Sequence, residues 1–186
     1  MKHLGTVKLK TDRLILRRFT NTDDVPMFHH WANDAEVCKY LMWQPHRNIT
    51  ATRQVLKNWI LGYGKPNFYQ WAIELKDNAT LIGSISVTQQ DDRCKTVHIG
   101  YCIGRDWWGK AYTCEALIRL IHFFFEEVGV NRIEARYDPR NPNSGKVMQK
   151  AGLQYEGTLY ESDWNNQGIC DAAYYAILAR HYFQSQ

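Results

Sequence analysis

Cysteine is sparse and scattered in this sequence: five residues, at positions 38, 94, 102, 114 and 170, with no Cys-x-x-Cys spacing. An odd, dispersed set argues against a disulfide framework or a structural zinc site and for a reducing compartment, which makes the cytoplasm the expected location. Apolar runs are short. None reaches the roughly 18 residues that span a bilayer, so no membrane span is expected. The start, Met1-Lys2-His3-Leu4-Gly5-Thr6, lacks the apolar stretch of a signal peptide, and export is not expected either. The seven histidines form no His-Glu-x-x-His, and His29 and His30 direct their rings to different sides of a helix, so no metal is expected. The net charge is only +4 and no Lys/Arg run forms a patch, which speaks against nucleic acid as a partner. Repeats, low-complexity tracts and linker-like stretches are also missing, so residues 8–182 read as a single domain.

What is present suits a soluble globular chain. Of 186 residues, 45% are hydrophobic and 23% charged, enough apolar material for one sizeable core. Leu14 to Phe19 reads as a first strand. Asn21 to Asp24 offers caps for a helix through Trp31, and Thr50 offers a cap for a second helix carrying Val55, Leu56, Trp59 and Ile60. Phe68–Leu75, Leu81–Val87 and Thr96–Ile103 read as strands, with turns at Asp77-Asn78 and across Gln89 to Arg93. Leu117, Leu120, Ile121, Phe124, Phe125 and Val128 then fall at helical spacing, and Gly129 ends that run. A strand over Asn131–Tyr137, a helix over Asn143–Ala151 closed by Gly152, and a hairpin of Leu153–Glu161 and Ile169–Leu178 complete the chain. The order predicts an α+β fold. Its centre is a mixed, mostly antiparallel sheet of about seven strands flanked by helices, with one β-α-β crossover.

Two segments carry chemistry. In Tyr101-Cys102-Ile103-Gly104-Arg105-Asp106-Trp107-Trp108-Gly109-Lys110-Ala111-Tyr112 a strand enters a small-residue turn and a long helix begins. Such a turn exposes unpaired N–H groups at the positive end of a helix and suits a pyrophosphate. The spacing is not that of a Walker loop, and Gly-x-Gly-x-x-Gly and Gly-x-Ser-x-Gly are both absent. In the second segment the strand through Glu134 ends in Asp138-Pro139-Arg140-Asn141-Pro142, and a helix opens at Asn143-Ser144, where either side chain can serve as N-cap.

In combination these segments resemble the GNAT acyltransferase superfamily, and within it the RimJ/RimL-like N-acetyltransferases. The resemblance runs from Leu9-Lys10-Thr11-Asp12-Arg13-Leu14 to Tyr174-Tyr175-Ala176-Ile177. It is carried by Trp108-Gly109-Lys110-Ala111-Tyr112 with Glu115-Ala116, and by Asn141-x-x-Ser144 with Lys150-x-Gly152 and Glu156-Gly157. It implies transfer of an acetyl group from acetyl-CoA, as co-substrate, to an amine by direct attack. Trp108, Gly109, Lys110, Ala111 and Tyr112 are implied around the pyrophosphate. Asp106 stands where the family pattern has Gln or Arg, which leaves the main-chain contacts to do the binding. Tyr101, Ile103, Asn141 and Ser144 are implied along the pantetheine arm, between strands that splay apart.

Direct attack needs no enzyme nucleophile, so Cys102 and Cys114 are read as buried structural thiols. Many relatives place a tyrosine seven residues after the Asn of the second motif; Met148 stands there and cannot donate a proton. Ser144 is then the implied donor to the thiolate, with a cap or cofactor contact as the alternative. Glu134 is the implied base, with a structural pair to Arg132 or Arg136 as the alternative; Glu115 is read as support for the helix start. Neutralising an α-amine at pH 7 costs about 1 kcal/mol, a lysine amine roughly 4.6. With no strong base evident, a protein N-terminal α-amine is favoured over a small amine such as a drug or polyamine. A non-catalytic acyl-CoA-binding module is the rival from another class. Trp31, Tyr40, Trp43 and Tyr160 are candidate acceptor walls, and a homodimer is open.

Overall fold

In a computed structural model describing residues 1–184, eight strands form one sheet. Their order is β1 (Leu9–Lys10), β2 (Leu14–Arg17), β3 (Gln70–Leu75), β4 (Leu81–Asp91), β5 (Thr96–Ile103), β6 (Arg132–Tyr137), β8 (Gly168–Leu178), β7 (Gln154–Asn165). The additional strand is the two-residue β1, paired with β2 through Leu9↔Leu16. All neighbours are antiparallel except β5 and β6. That parallel pair needs a crossover, which α4 (Tyr112–His122) supplies.

The sheet has an apolar face on each side. One packs on α4 and on α5 (Pro142–Lys150). Leu117, Leu120, Phe123, Phe124, Val97, Ile99 and Ile133 are buried there with Met148. The other face carries α1 (Asp24–Met27), the π-helical turn Phe28–Ala32 that continues it, α2 (Ala35–Cys38) and α3 (Ile49–Gly62). Phe19, Met27, Trp31, Ala32 and Leu56 close that layer. Full burial of each such side chain contributes about 1.5–3 kcal/mol.

Several boundaries differ from the sequence reading, each for a local reason. The first strand stops at Arg17, and the side chain of Asp23 takes the Thr20 N–H ahead of a 3₁₀ turn over Asn21–Asp23. The helix at α3 is capped by Asn48, whose side chain accepts from Ala51 N–H, and not by Thr50. β4 runs on to Asp91 through a bulge between Val87 and Gln89, so the β4–β5 turn is Asp92–Lys95. The helical run ending at Val128 is α only to His122 and widens into a π-helix from Phe123. A last helix, α6 (Ala179–Gln184), follows β8. No helix among the described residues is long and apolar enough to cross a membrane.

Candidate active site

The strand register builds the opening. β5 and β6 are paired at Thr96↔Arg132, Val97↔Ile133 and His98↔Glu134, and no further. Beyond that point β5 stays with β4 through Ile103, while β6 stays with β8 through Tyr137. The two strands therefore part at His98 and Glu134. Gly104 N–H donates to Ile82 O across the β4–β5 ladder. Alternation along that ladder turns the peptide groups of Ile99, Tyr101 and Ile103 away from β4 and into the opening. The Trp108 indole Nε1 donates to Ile103 O at 2.9 Å and closes the outer end.

The turn that follows is a cradle of donors. Gly109 has φ +75° and Ala111 φ +63°, both left-handed, and Ala111 occupies the N-cap position of α4. No acceptor among the described residues takes the main-chain N–H groups from Gly109 to Tyr112. Lys110 Nζ curls back to Asp106 O at 2.8 Å, and Arg13 Nη1 donates to Lys110 O at 3.1 Å. Glu115 ties α4 to the chain entering β2. It accepts from Thr11 Oγ1, Arg13 N and Arg13 Nε, and the Arg13 guanidinium lies over the Tyr112 ring at 4.5 Å. The free N–H groups and the left-handed turn fit a diphosphate, held mainly by backbone.

Tyr101 and Ser144, assigned from two distant segments, meet. Tyr101 Oη donates to Ser144 O at 2.8 Å, and Ser144 Oγ donates to Tyr101 Oη at 3.1 Å. Ser144 is not a cap. The cap position of α5 is Asn141, with Pro142 at N1, so the serine hydroxyl is left to reach β5. Burial pushes the Tyr101 phenol above its usual range, although the bond to Ser144 lowers it. Gly145 permits this approach: a Cβ there would lie 2.4 Å from Tyr137 Cζ. Met148 is buried in the core and offers the opening no donor.

Glu134 sits where the strands part. Arg132 Nε donates to its Oε2 at 2.7 Å, and His98 Nδ1 lies 3.5 Å from its Oε1. The bond from His98, then those from Arg132, hold its carboxyl at about 2 against the upward pull of burial. Of the two alternatives for its structural pairing, Arg132 is the partner; Arg136 is bound to Asp163 instead. Cys102 and Cys114 are half-buried, less enclosed than expected, and burial pushes both thiols up, which keeps them protonated. Trp31 belongs to the core and is no wall. Tyr40 and Trp43 are half-buried, and Tyr160 is exposed. The tip of the β7–β8 hairpin closes over that side through Asn166 Nδ2, which donates to Cys38 O and Trp43 O. Sequence reasoning missed His98, and the only signal for it was its place three residues before Tyr101 on a strand.

The family model for the acetyltransferase (GNAT) domain matches residues 13–154. The chain belongs to the GNAT family. Among its relatives is a protein of Bacillus licheniformis named "uncharacterized N-acetyltransferase p20", 30% identical over 94% of this chain and 97% of that one. Another is the ribosomal protein uS5-alanine N-acetyltransferase of Escherichia coli, 27% identical over 85% of this chain and 82% of that one. Among solved structures, that of the microcin C7 self immunity acetyltransferase MccE with acetyl-CoA and AMP superposes with a TM-score of 0.80. It is 21% identical and covers 90% of this chain and 93% of that one. The GNAT membership read from the motifs is thus borne out, with a ribosomal-protein-alanine N-acetyltransferase among the relatives, and this GNAT protein is an acyltransferase enzyme.

Proposed function

We propose that this GNAT enzyme transfers acetyl from acetyl-CoA to a primary amine, with a protein N-terminal α-amine as the leading acceptor. The observation that carries the reading is the strand opening beyond His98↔Glu134, which leads to the unpaired N–H groups of Gly109 to Tyr112. Those amides would hold the diphosphate, with Trp108 and Lys110 beside it. The edge of β5 at Tyr101 and Ile103 would pair with the pantetheine arm, and Asn141 and Ser144 would flank it. The co-substrate supplies the acetyl thioester.

The chain's own groups divide the remaining work. N–H groups of the β5 edge polarise a carbonyl placed in the opening. Ser144 Oγ, bonded to Tyr101 Oη, is the hydroxyl placed to protonate a departing thiolate. The relative named for acetylating an alanine of a ribosomal protein supports an α-amine acceptor. Such an acceptor is also the less demanding one to deprotonate. Free thiols fit the cytoplasm as the setting.

The test is thiol release from acetyl-CoA in the presence of N-terminal peptides, polyamines and aminated drugs. Release that depends on peptide α-amines is expected. Release with small amines alone would reassign the acceptor. Acetyl-CoA binding without release across the panel would make the chain a binding module.

A further inference from the structure

We propose that His98 is the group that takes the proton from the acceptor ammonium, and that Glu134 acts by positioning it. The inference rests on the acetyl-transfer reading and adds a residue that the motifs did not mark. His98 occupies the last paired register before β5 and β6 separate. Its side chain alternates with Val97 and Ile99, which belong to the core under α4, so it points to the opposite face of the sheet. Tyr101 and Ser144 lie on the α4 and α5 face. The opening is therefore bordered by a hydroxyl pair on one side and an imidazole on the other. An amide-forming transfer needs that division, with a proton leaving the nitrogen and another reaching the sulfur.

The two ring nitrogens of His98 have different surroundings. Nδ1 faces the Glu134 carboxylate at 3.5 Å, which keeps the N–H on that nitrogen and leaves Nε2 as an acceptor. Nε2 has no hydrogen-bond partner among the described residues. It is not fully sealed either: among the described residues Gln90 Oε1 is the buried side-chain N or O atom left without a partner, and His98 Nε2 does not join it. His98 as a whole is 5% exposed, so the imidazole is nearly enclosed and Nε2 shares in that small opening.

The groups around the imidazole are few. Glu134 and Arg132 come from β6, with Glu156 of β7 holding the far side of Arg132 at 2.9 Å. From β8 the Tyr174 ring meets the imidazole edge-on at 6.4 Å, and from β4 Thr88 Oγ1 donates to the His98 carbonyl. Glu134 itself is a poor proton acceptor, since it is already engaged by Arg132 and His98. An imidazole oriented by a carboxylate is the better one.

The proton balance is complete. One N–H bond of the ammonium breaks and its proton goes to His98 Nε2. The freed lone pair forms the C–N bond, the C–S bond breaks with its electron pair on sulfur, and the sulfur gains the second nitrogen proton by way of the Ser144 and Tyr101 hydroxyls. The imidazolium then returns its proton to water. The sum is one amide, one thiol and one proton from one ammonium and one thioester.

The experiment is the pH profile of kcat with acetyl-CoA and an acetylated peptide's parent amine, for wild type, His98→Gln, His98→Ala and Glu134→Gln. Melting curves and calorimetric titration with coenzyme A establish that each variant is folded and binds. For His98→Gln a fall of 10²–10⁴-fold is expected, together with loss of the acid limb of the profile. Added imidazole should restore part of the activity of His98→Ala. Glu134→Gln, which leaves the imidazole without the carboxylate that orients it, should lower kcat while leaving the KM for acetyl-CoA unchanged; a merely structural carboxylate would leave kcat in place. A folded, CoA-binding His98→Gln with wild-type kcat and profile overturns the proposal alone. Wild-type protein that releases no thiol with any amine overturns the acetyl-transfer reading, and the proposal with it.

Discussion

Ala111 carries a Cβ in a left-handed backbone, where L-residues other than glycine are held at a cost of about 1–2 kcal/mol. The turn keeps this strained residue where the N–H groups of Gly109 to Tyr112 have no acceptor among the described residues, the kind of place where strain accompanies a binding site. Ala111→Gly is expected to raise stability by up to about 1 kcal/mol in urea titration, since glycine removes the penalty but frees the unfolded chain. Ala111→Val places a branched side chain in the same conformation. It should lower both the melting temperature and the affinity for acetyl-CoA in calorimetry. Glu134 gives a pH dependence of defined sign. Its folded carboxyl titrates at about 2, below the ordinary value near 4.3. Its contribution to stability is therefore complete above about pH 4.5 and is lost as the pH falls toward 2. Acid denaturation should be steeper in wild type than in Glu134→Gln across that window, as read by circular dichroism.

Helix α5 is positioned by a missing side chain. Gly145 lies against the Tyr137 ring, and the same turn of helix carries Ser144 to Tyr101. Gly145→Ala improves helix propensity but introduces a clash at 2.4 Å with Tyr137. Overpacking of that kind costs about 1–3 kcal/mol, more than propensity returns. Gly145→Ala is thus expected to lower the urea midpoint. Because it also shifts Ser144 from Tyr101, it should lower kcat; Gly145→Ala in a Tyr137→Leu background, which removes the ring carbon and hydroxyl that the new Cβ would meet, should recover part of the stability. The strands and helices that form these walls were readable as elements in the sequence, from alternation in Leu81–Val87 and Thr96–Ile103 and from the apolar spacing of Leu117 to Val128. Their exact ends were not, because caps and bulges depend on which neighbour accepts a given N–H. Asn48 and the bulge after Val87 are two such cases.

The β7–β8 tip and the segment after α2, the two elements proposed to wall the acceptor, are tied together through Asn166. Asn166, at the β7–β8 tip, donates from Nδ2 to Cys38 O and Trp43 O and from its main chain to Leu41 O, and accepts from Gln44 Nε2 at 2.6 Å. Asn166→Ala would leave two carbonyls without that donor, a loss of about 1–3 kcal/mol. The expected result is a lower melting temperature and a raised KM for the peptide amine, with the larger change in the acceptor's KM than in that of acetyl-CoA.

The order of strands and helices, the donor-rich turn at Gly109 to Tyr112 and the family followed from the sequence, because periodicity, small residues and local spacing are properties of neighbouring positions. Tertiary structure alone decided that Ser144 bonds Tyr101, that Glu134 meets His98, and that His98 stands at the parting of two strands. Each of these is a contact between segments whose distance along the chain says nothing of their distance in space, and the register of the sheet sets which side chains face the opening.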